Sequence, residues 1–169
     1  MHILIIPSWY KTPERPVIGT FFEEQARMFQ KRGHQVGVLH PSHNLQFLGN
    51  SRFGGEKAPD NYNDKGIPIM YSFSQSFIPK KGTPTRFDIL QCCILAYKEY
   101  KKYKAQYGKP ALIHGHSVVW GGVVANYISK KENIPYYITK HFTGWILNNK
   151  MIETSYFRKL LAQTVKESK

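Results

Sequence analysis

Four consecutive apolar residues, Ile3, Leu4, Ile5 and Ile6, stand almost at the start of this 169-residue chain, and Pro7 follows them at once. Successive side chains on a strand point to opposite faces, so an unbroken apolar run leaves no face for water. Such a strand belongs between two layers, as in a parallel sheet covered by helices on both sides. The strand 2–6 is therefore expected to be central. A loop over residues 7–19 should lead from it into a helix beginning near Thr20.

Thr20 is followed three residues later by Glu23, the spacing of a capping box, in which hydroxyl and carboxylate satisfy the free N–H groups of a first helical turn. Phe22, Ala26 and Phe29 fall on one face of that helix, and Gly33 suits the left-handed residue that ends it. Gly19, just ahead of the helix, admits two readings. It permits a tight turn, or with Thr20 it lets a phosphate approach the backbone at the positive end of the helix dipole.

Further along, residues 36–40 read as a second strand. Residues 41–66 form a polar excursion rich in Asn, Gly and Ser, too long to be idle. Residues 67–73 suit a strand near a sheet edge, since Pro68 argues against a central place. A helix is expected over 86–107, with Phe87, Leu90, Ile94 and Tyr97 on its buried face. Tyr97, Tyr100, Tyr103 and Tyr107 recur along it among lysines 98, 101, 102 and 104. Some tyrosines covering the core while lysines face water is the preferred reading, and an anionic membrane interface the alternative. Residues 111–114 make the next buried strand, with Ser117 capping a helix over 118–131. A strand at 136–139, a loop at 140–145 and a final helix over 152–169 complete the chain.

Strands alternating with helices throughout define an α/β fold, a doubly wound, Rossmann-like parallel sheet of about five strands with helices on both faces. Ligands bind such sheets beyond the C-terminal strand ends, where the segments 7–19, 114–117 and 140–145 all fall. The first six residues lack the pattern of a secretory leader, no window is apolar enough to span a bilayer, and the adjacent Cys92 and Cys93 read as packed thiols. A cytoplasmic protein is expected, possibly held at the inner membrane face. With 24 Lys and Arg against 11 Asp and Glu, the net charge of +13 points to an anionic partner.

Four segments, Ile5-Ile6-Pro7-Ser8-Trp9-Tyr10, Gly19-Thr20-Phe21-Phe22-Glu23-Glu24-Gln25-Ala26, Leu112-Ile113-His114-Gly115-His116-Ser117 and Ile138-Thr139-Lys140-His141, together resemble the N-terminal domain of family 4 glycosyltransferases. The resemblance implies one half of a GT-B enzyme, the acceptor-side domain. Such an enzyme transfers sugar with retention from a nucleotide-sugar donor and needs no metal or other cofactor. By position, His116 resembles the histidine beside the transferred sugar, where it orients rather than shuttles protons. Gly19 and Thr20 match the place that approaches the donor diphosphate, although relatives often have two glycines. Trp9, Tyr10, Ser117, His141 and Trp145 fall where the acceptor is held, with buried anchoring an equal alternative for the aromatic residues. Lys140 replaces the Glu usual in the subset this chain most resembles, so acceptor preference is expected to differ.

That family's donor-binding half carries a paired-glutamate signature for which these 169 residues have no room. A fragment is therefore expected, inactive alone, whose nucleotide-sugar donor is bound through the missing C-terminal domain and whose acceptor is a glycan or lipid-linked molecule. The rival readings are a zinc site at His114, His116 and His141, a Ser117–His116 nucleophile, a nucleic-acid-binding module and a non-catalytic membrane-associating or partner-binding domain. No ligand spacing supports zinc, adjacent strand residues point apart, and no nucleic-acid motif is present.

Overall fold

The computed structural model describes residues 1–12, 16–44, 60–76, 84–141 and 155–169. One sheet runs in the order β3-β4-β2-β1-β5-β6, with β1 at His2–Pro7, β2 at Gln35–Asn44, β3 at Tyr62–Asp64, β4 at Ile67–Gln75, β5 at Leu112–His116 and β6 at Tyr136–Thr139. The helices among the described residues are α1 (Thr20–Lys31), α2 (Arg86–Tyr107), α3 (Val123–Glu132) and α4 (Ser155–Lys166). Among the described residues all pairings are parallel except that of β3 with β4.

The apolar run at the start lies, as expected, inside the sheet, flanked by β2 and β5. Its alternate side chains divide two cores. Ile3 and Ile5 pack with Phe22 and Ala26 of α1, whereas Leu4 and Ile6 belong to the larger cluster built with α2, α3 and α4. Helices thus cover both faces, and the α/β expectation holds with a sixth strand added.

That sixth strand, β3, comes from the end of the segment read as an excursion. It forms a hairpin with β4 through Lys65 and Gly66, both at positive φ, and the Asn63 side chain accepts a hydrogen bond from the Gly66 N–H. β2 also runs past residue 40 to Asn44. Beyond Val38 it pairs, among the described residues, with β4 alone, so the N–H missing at Pro41 is tolerable on the side where they place no strand.

Three local expectations fail. Thr20 is the first helical residue of α1 rather than its cap. Gly19 takes the cap position, with no side-chain capping bond, and Glu23 is drawn away to Lys11 and Arg27. The reciprocal box occurs instead at α2, where Thr85 and Asp88 cap each other. Ser117 makes no cap either, and α3 begins only at Val123 after an irregular turn.

On α2 the buried face is the one opposite to that expected. Ile89, Cys92, Cys93, Ala96, Tyr100 and Tyr103 enter the core, while Phe87, Leu90 and Ile94 are exposed. Small side chains bring this stretch of helix close to the sheet. Burial of Tyr100 and Tyr103 agrees with tyrosines covering the core, and it pushes both phenols well above their usual range.

Candidate functional site

Parallel neighbours end on the same side of a sheet, and here β1, β5 and β6 deliver Ser8 and Trp9, His116, and the segment carrying His141 to one rim. The ladder continues into the loops, with the Ser8 N–H donating to the His116 carbonyl and the Ser117 N–H to that of Thr139. The first turn of α1 closes over this rim from one face. Phe22 packs 4.8 Å from the His116 ring, Phe21 5.1 Å from His141, and Trp9 5.6 Å from Phe22. Gly19, His116 and His141 are therefore neighbours of one aromatic cluster.

Gly19 has φ +76, and a Cβ there would sit 3.1 Å from the Trp9 carbonyl oxygen and 3.2 Å from Tyr10 Cα. Turn geometry and close packing both require glycine without any ligand. Thr20 beside it is exposed. Tyr10 is buried in the α1-side core, where it anchors the loop, while Trp9 stays partly exposed against Phe21 and Phe22. Trp145 lies outside the described residues. The start of the loop is pinned by a four-membered charge network in which Lys11 lies 2.7 Å from Glu23 and 3.0 Å from Asp64, and Arg27 reaches both carboxylates. Burial would raise the Glu23 pKa, but hydrogen bonds from Lys11 and Arg27 outweigh it and hold the carboxyl below its usual range.

His116 is buried, and its Nδ1 lies within hydrogen-bond distance of His141 Nε2, while among the described residues Nε2 has no partner. Burial, then the neighbouring His114 and His141, push its pKa down to about 3. His114 is lowered by burial and by His141, and its Nε2 lies 2.8 Å from the Thr139 hydroxyl. The exposed His141 is lowered by burial of part of its ring. These imidazoles are neutral near pH 7, suited to giving and taking hydrogen bonds with hydroxyl groups. Among the described residues no group of three or more His, Cys, Asp or Glu side chains is placed to hold a metal ion.

Ser8 ties this rim together, a role the sequence reading missed. Its hydroxyl lies within bonding distance of the His116 and Val119 carbonyls and accepts from the Gly121 N–H at 3.0 Å. The backbone it holds is strained, since Ser117 (φ 62) and Trp120 (φ 58) are non-glycine residues at positive φ, each costing about 1–3 kcal/mol. Ser117 is buried, and among the described residues its hydroxyl has no partner. On the other face of the rim the Trp120 ring lies 4.4 Å from His43, whose Nδ1 meets the Ser74 hydroxyl. Phe21 and Phe22 were also missed as site residues. Their signal lay inside the Gly19-to-Ala26 segment, where Phe22 was read as part of the helix pattern and Phe21 only as part of the family resemblance.

The chain superimposes on sucrose-phosphate synthase from Thermosynechococcus elongatus with a TM-score of 0.58 and 13% identity, covering 96% of this chain and 39% of that one. An identity so low speaks for the fold alone, and that fold is an α/β domain matching half of a GT-B glycosyltransferase. In sequence the chain is similar to TuaC of Bacillus subtilis strain 168, named for a glycosyltransferase role in teichuronic acid biosynthesis. The two are 30% identical over 148 residues, 83% of this chain and 36% of TuaC. The chain thus spans about a third of the length of that curated relative. No family model matches it.

Proposed function

We propose that this chain is the acceptor-side half of a retaining glycosyltransferase, which moves a sugar from a nucleotide-sugar donor to a glycan or lipid-linked acceptor in polysaccharide assembly. The observation that carries the reading is the meeting of the β1–α1 loop, His116 and His141 at one strand-end rim, in a fold that matches half of a GT-B enzyme. Similarity to TuaC supports the chemistry and the kind of pathway.

In this reading His116 stays neutral and holds a sugar hydroxyl through its unpartnered Nε2, with His141 fixing the ring from Nδ1. Trp9 and Phe21 present ring surface at the same rim, which a sugar face can cover. Gly19 and Thr20 take the donor diphosphate side. Ser117 and Trp145 belong to the acceptor side, while the buried Tyr10 supports the loop from beneath. Rate enhancement comes from holding acceptor and anomeric carbon together and from electrostatic stabilisation of the leaving diphosphate, which a second, donor-binding domain completes. No metal or further cofactor takes part in this scheme.

The test is a transfer assay with the 169-residue chain and with a protein that joins it to a donor-binding half. Transfer by the joined protein alone is expected. Turnover of a nucleotide sugar by the 169 residues in isolation would overturn the division of labour.

A further inference from the structure

The outward face of α2 changes character along its length. Phe87, Leu90 and Ile94, spaced i, i+3 and i+7, are 55%, 51% and 49% exposed, opposite the stripe that enters the core. One turn further on the same face continues as Lys98, Lys101 and Lys102, all exposed. Within this stretch Lys102 pairs with Glu99 and Lys101 lies over the Tyr97 ring, so the basic half keeps a positive excess. Three large apolar side chains on one exposed helix face need a reason beyond chance exposure.

We propose that this face of α2 rests on an anionic lipid bilayer, its apolar half entering the boundary between headgroups and acyl chains and its lysine half lying among the phosphates. Charge chooses this occupant, because an apolar patch continued by lysines, on a chain of net charge +13, matches an anionic lipid surface in both of its layers. The attachment proposed is at the surface of the bilayer; among the described residues no helix is long and apolar enough to cross a membrane. β4 ends at Gln75 and α2 starts at Arg86, so the apolar half lies toward the rim that carries His116. The bilayer would then present lipid-borne molecules beside that rim. Lipid attachment itself stands independently of the glycosyltransferase reading, because it rests on the α2 face and the charge of the chain and not on the rim.

The test is co-sedimentation of the chain with phosphatidylglycerol vesicles and with phosphatidylcholine vesicles. Binding to the first and little to the second is expected, weakening as salt rises. The triple variant Phe87→Ser, Leu90→Ser, Ile94→Ser should lose about tenfold or more in partitioning, with a Tm no lower than that of the parent. Lys98→Glu with Lys101→Glu should remove most of the salt dependence, and Val165→Ser, exposed on α4, should change nothing. As a readout of gain, Phe87→Trp should add fluorescence that brominated acyl chains quench. Failure of the parent to bind phosphatidylglycerol, or equal binding by the triple variant, overturns the proposal. So does self-association, or binding of another protein, that the triple variant abolishes while vesicles are ignored.

Discussion

His116 Nδ1 lies 2.9 Å from His141 Nε2, with the two rings nearly stacked, 17° from parallel and 5.2 Å between centroids. One ring must donate and the other accept, so the pair is at home with both imidazoles neutral. Two imidazolium rings stacked this way would repel, and the His114 ring also lies 4.1 Å from that of His116. Such a group orients a hydroxyl well and shuttles protons poorly. If the proposed function holds, His116→Ala in a protein that joins this chain to its donor-binding half should lower kcat/KM by about tenfold or more. The limbs of the pH–rate profile should stay where they are, because no working acid or base is removed. Unchanged kinetics would take His116 out of the site, and loss of a limb would make it a proton carrier.

Acid should destabilise the fold before the carboxylates titrate. Burial pushes His40 and His43 down to about 4, and burial with its histidine neighbours pushes His116 to about 3, against 6.5 for an ordinary histidine. Between those values the unfolded chain binds protons that the folded chain refuses, so stability rises with pH there. The contribution is complete above 6.5 and is lost as pH falls toward the folded values. By about pH 5 each such histidine can cost up to about 2 kcal/mol. Urea midpoints measured from about pH 7.5 to about pH 5 should fall steadily, with a shallower fall for His40→Gln. A flat profile would contradict the burial of these rings.

Ser8→Ala should cost more than an ordinary surface change. It leaves the Gly121 N–H without the hydroxyl that accepts from it and frees two carbonyls in the strained turn after β5. An unmade buried hydrogen bond costs about 1–3 kcal/mol, and here the loss falls where Ser117 and Trp120 are held at positive φ. Hydrogen exchange at Gly121 and Gly122 should quicken relative to that of β1. Equal protection in variant and parent would show that the turn holds itself.

What was legible in the chain was whatever had a single physical solution. Ile3 to Ile6 can only be buried on both sides, and the alternation of strands and helices then sets the fold and the rim that gathers His116 and His141. What misled were patterns with two solutions. Thr20 to Glu23 and Thr85 to Asp88 both have capping-box spacing, yet Lys11 and Arg27 draw Glu23 into ion pairs whereas Asp88 keeps its reciprocal bonds to Thr85. On α2 the larger apolar residues suggested the buried face, but Cys92, Cys93 and Ala96 allow closer approach to the sheet, and Phe87, Leu90 and Ile94 remain outside. Ser8 was invisible because its partners are backbone groups more than 100 residues away.

Gly37, near the start of β2, should tolerate no side chain, and the reason is space rather than backbone freedom. Its φ is not among the positive values, so alanine fits the conformation and by itself would favour folding by about 0.4–1 kcal/mol through the unfolded chain. A Cβ at this position would instead run into the Tyr103 ring, which is fully buried and fixed by a 2.6 Å hydrogen bond between its hydroxyl and His2 Nε2. The ring cannot swing away, because Tyr107 packs on it at 5.2 Å between centroids. Gly37→Ala is therefore expected to destabilise by about 2–3 kcal/mol despite its backbone advantage. Tyr103→Leu alone should also destabilise, by about 2–4 kcal/mol, through the space it empties. Combined, the two should cost at least about 1 kcal/mol less than their sum, because each relieves what the other creates. Urea unfolding of the four proteins in this cycle measures the coupling, and simple additivity would mean that Tyr103 does not lie across Gly37.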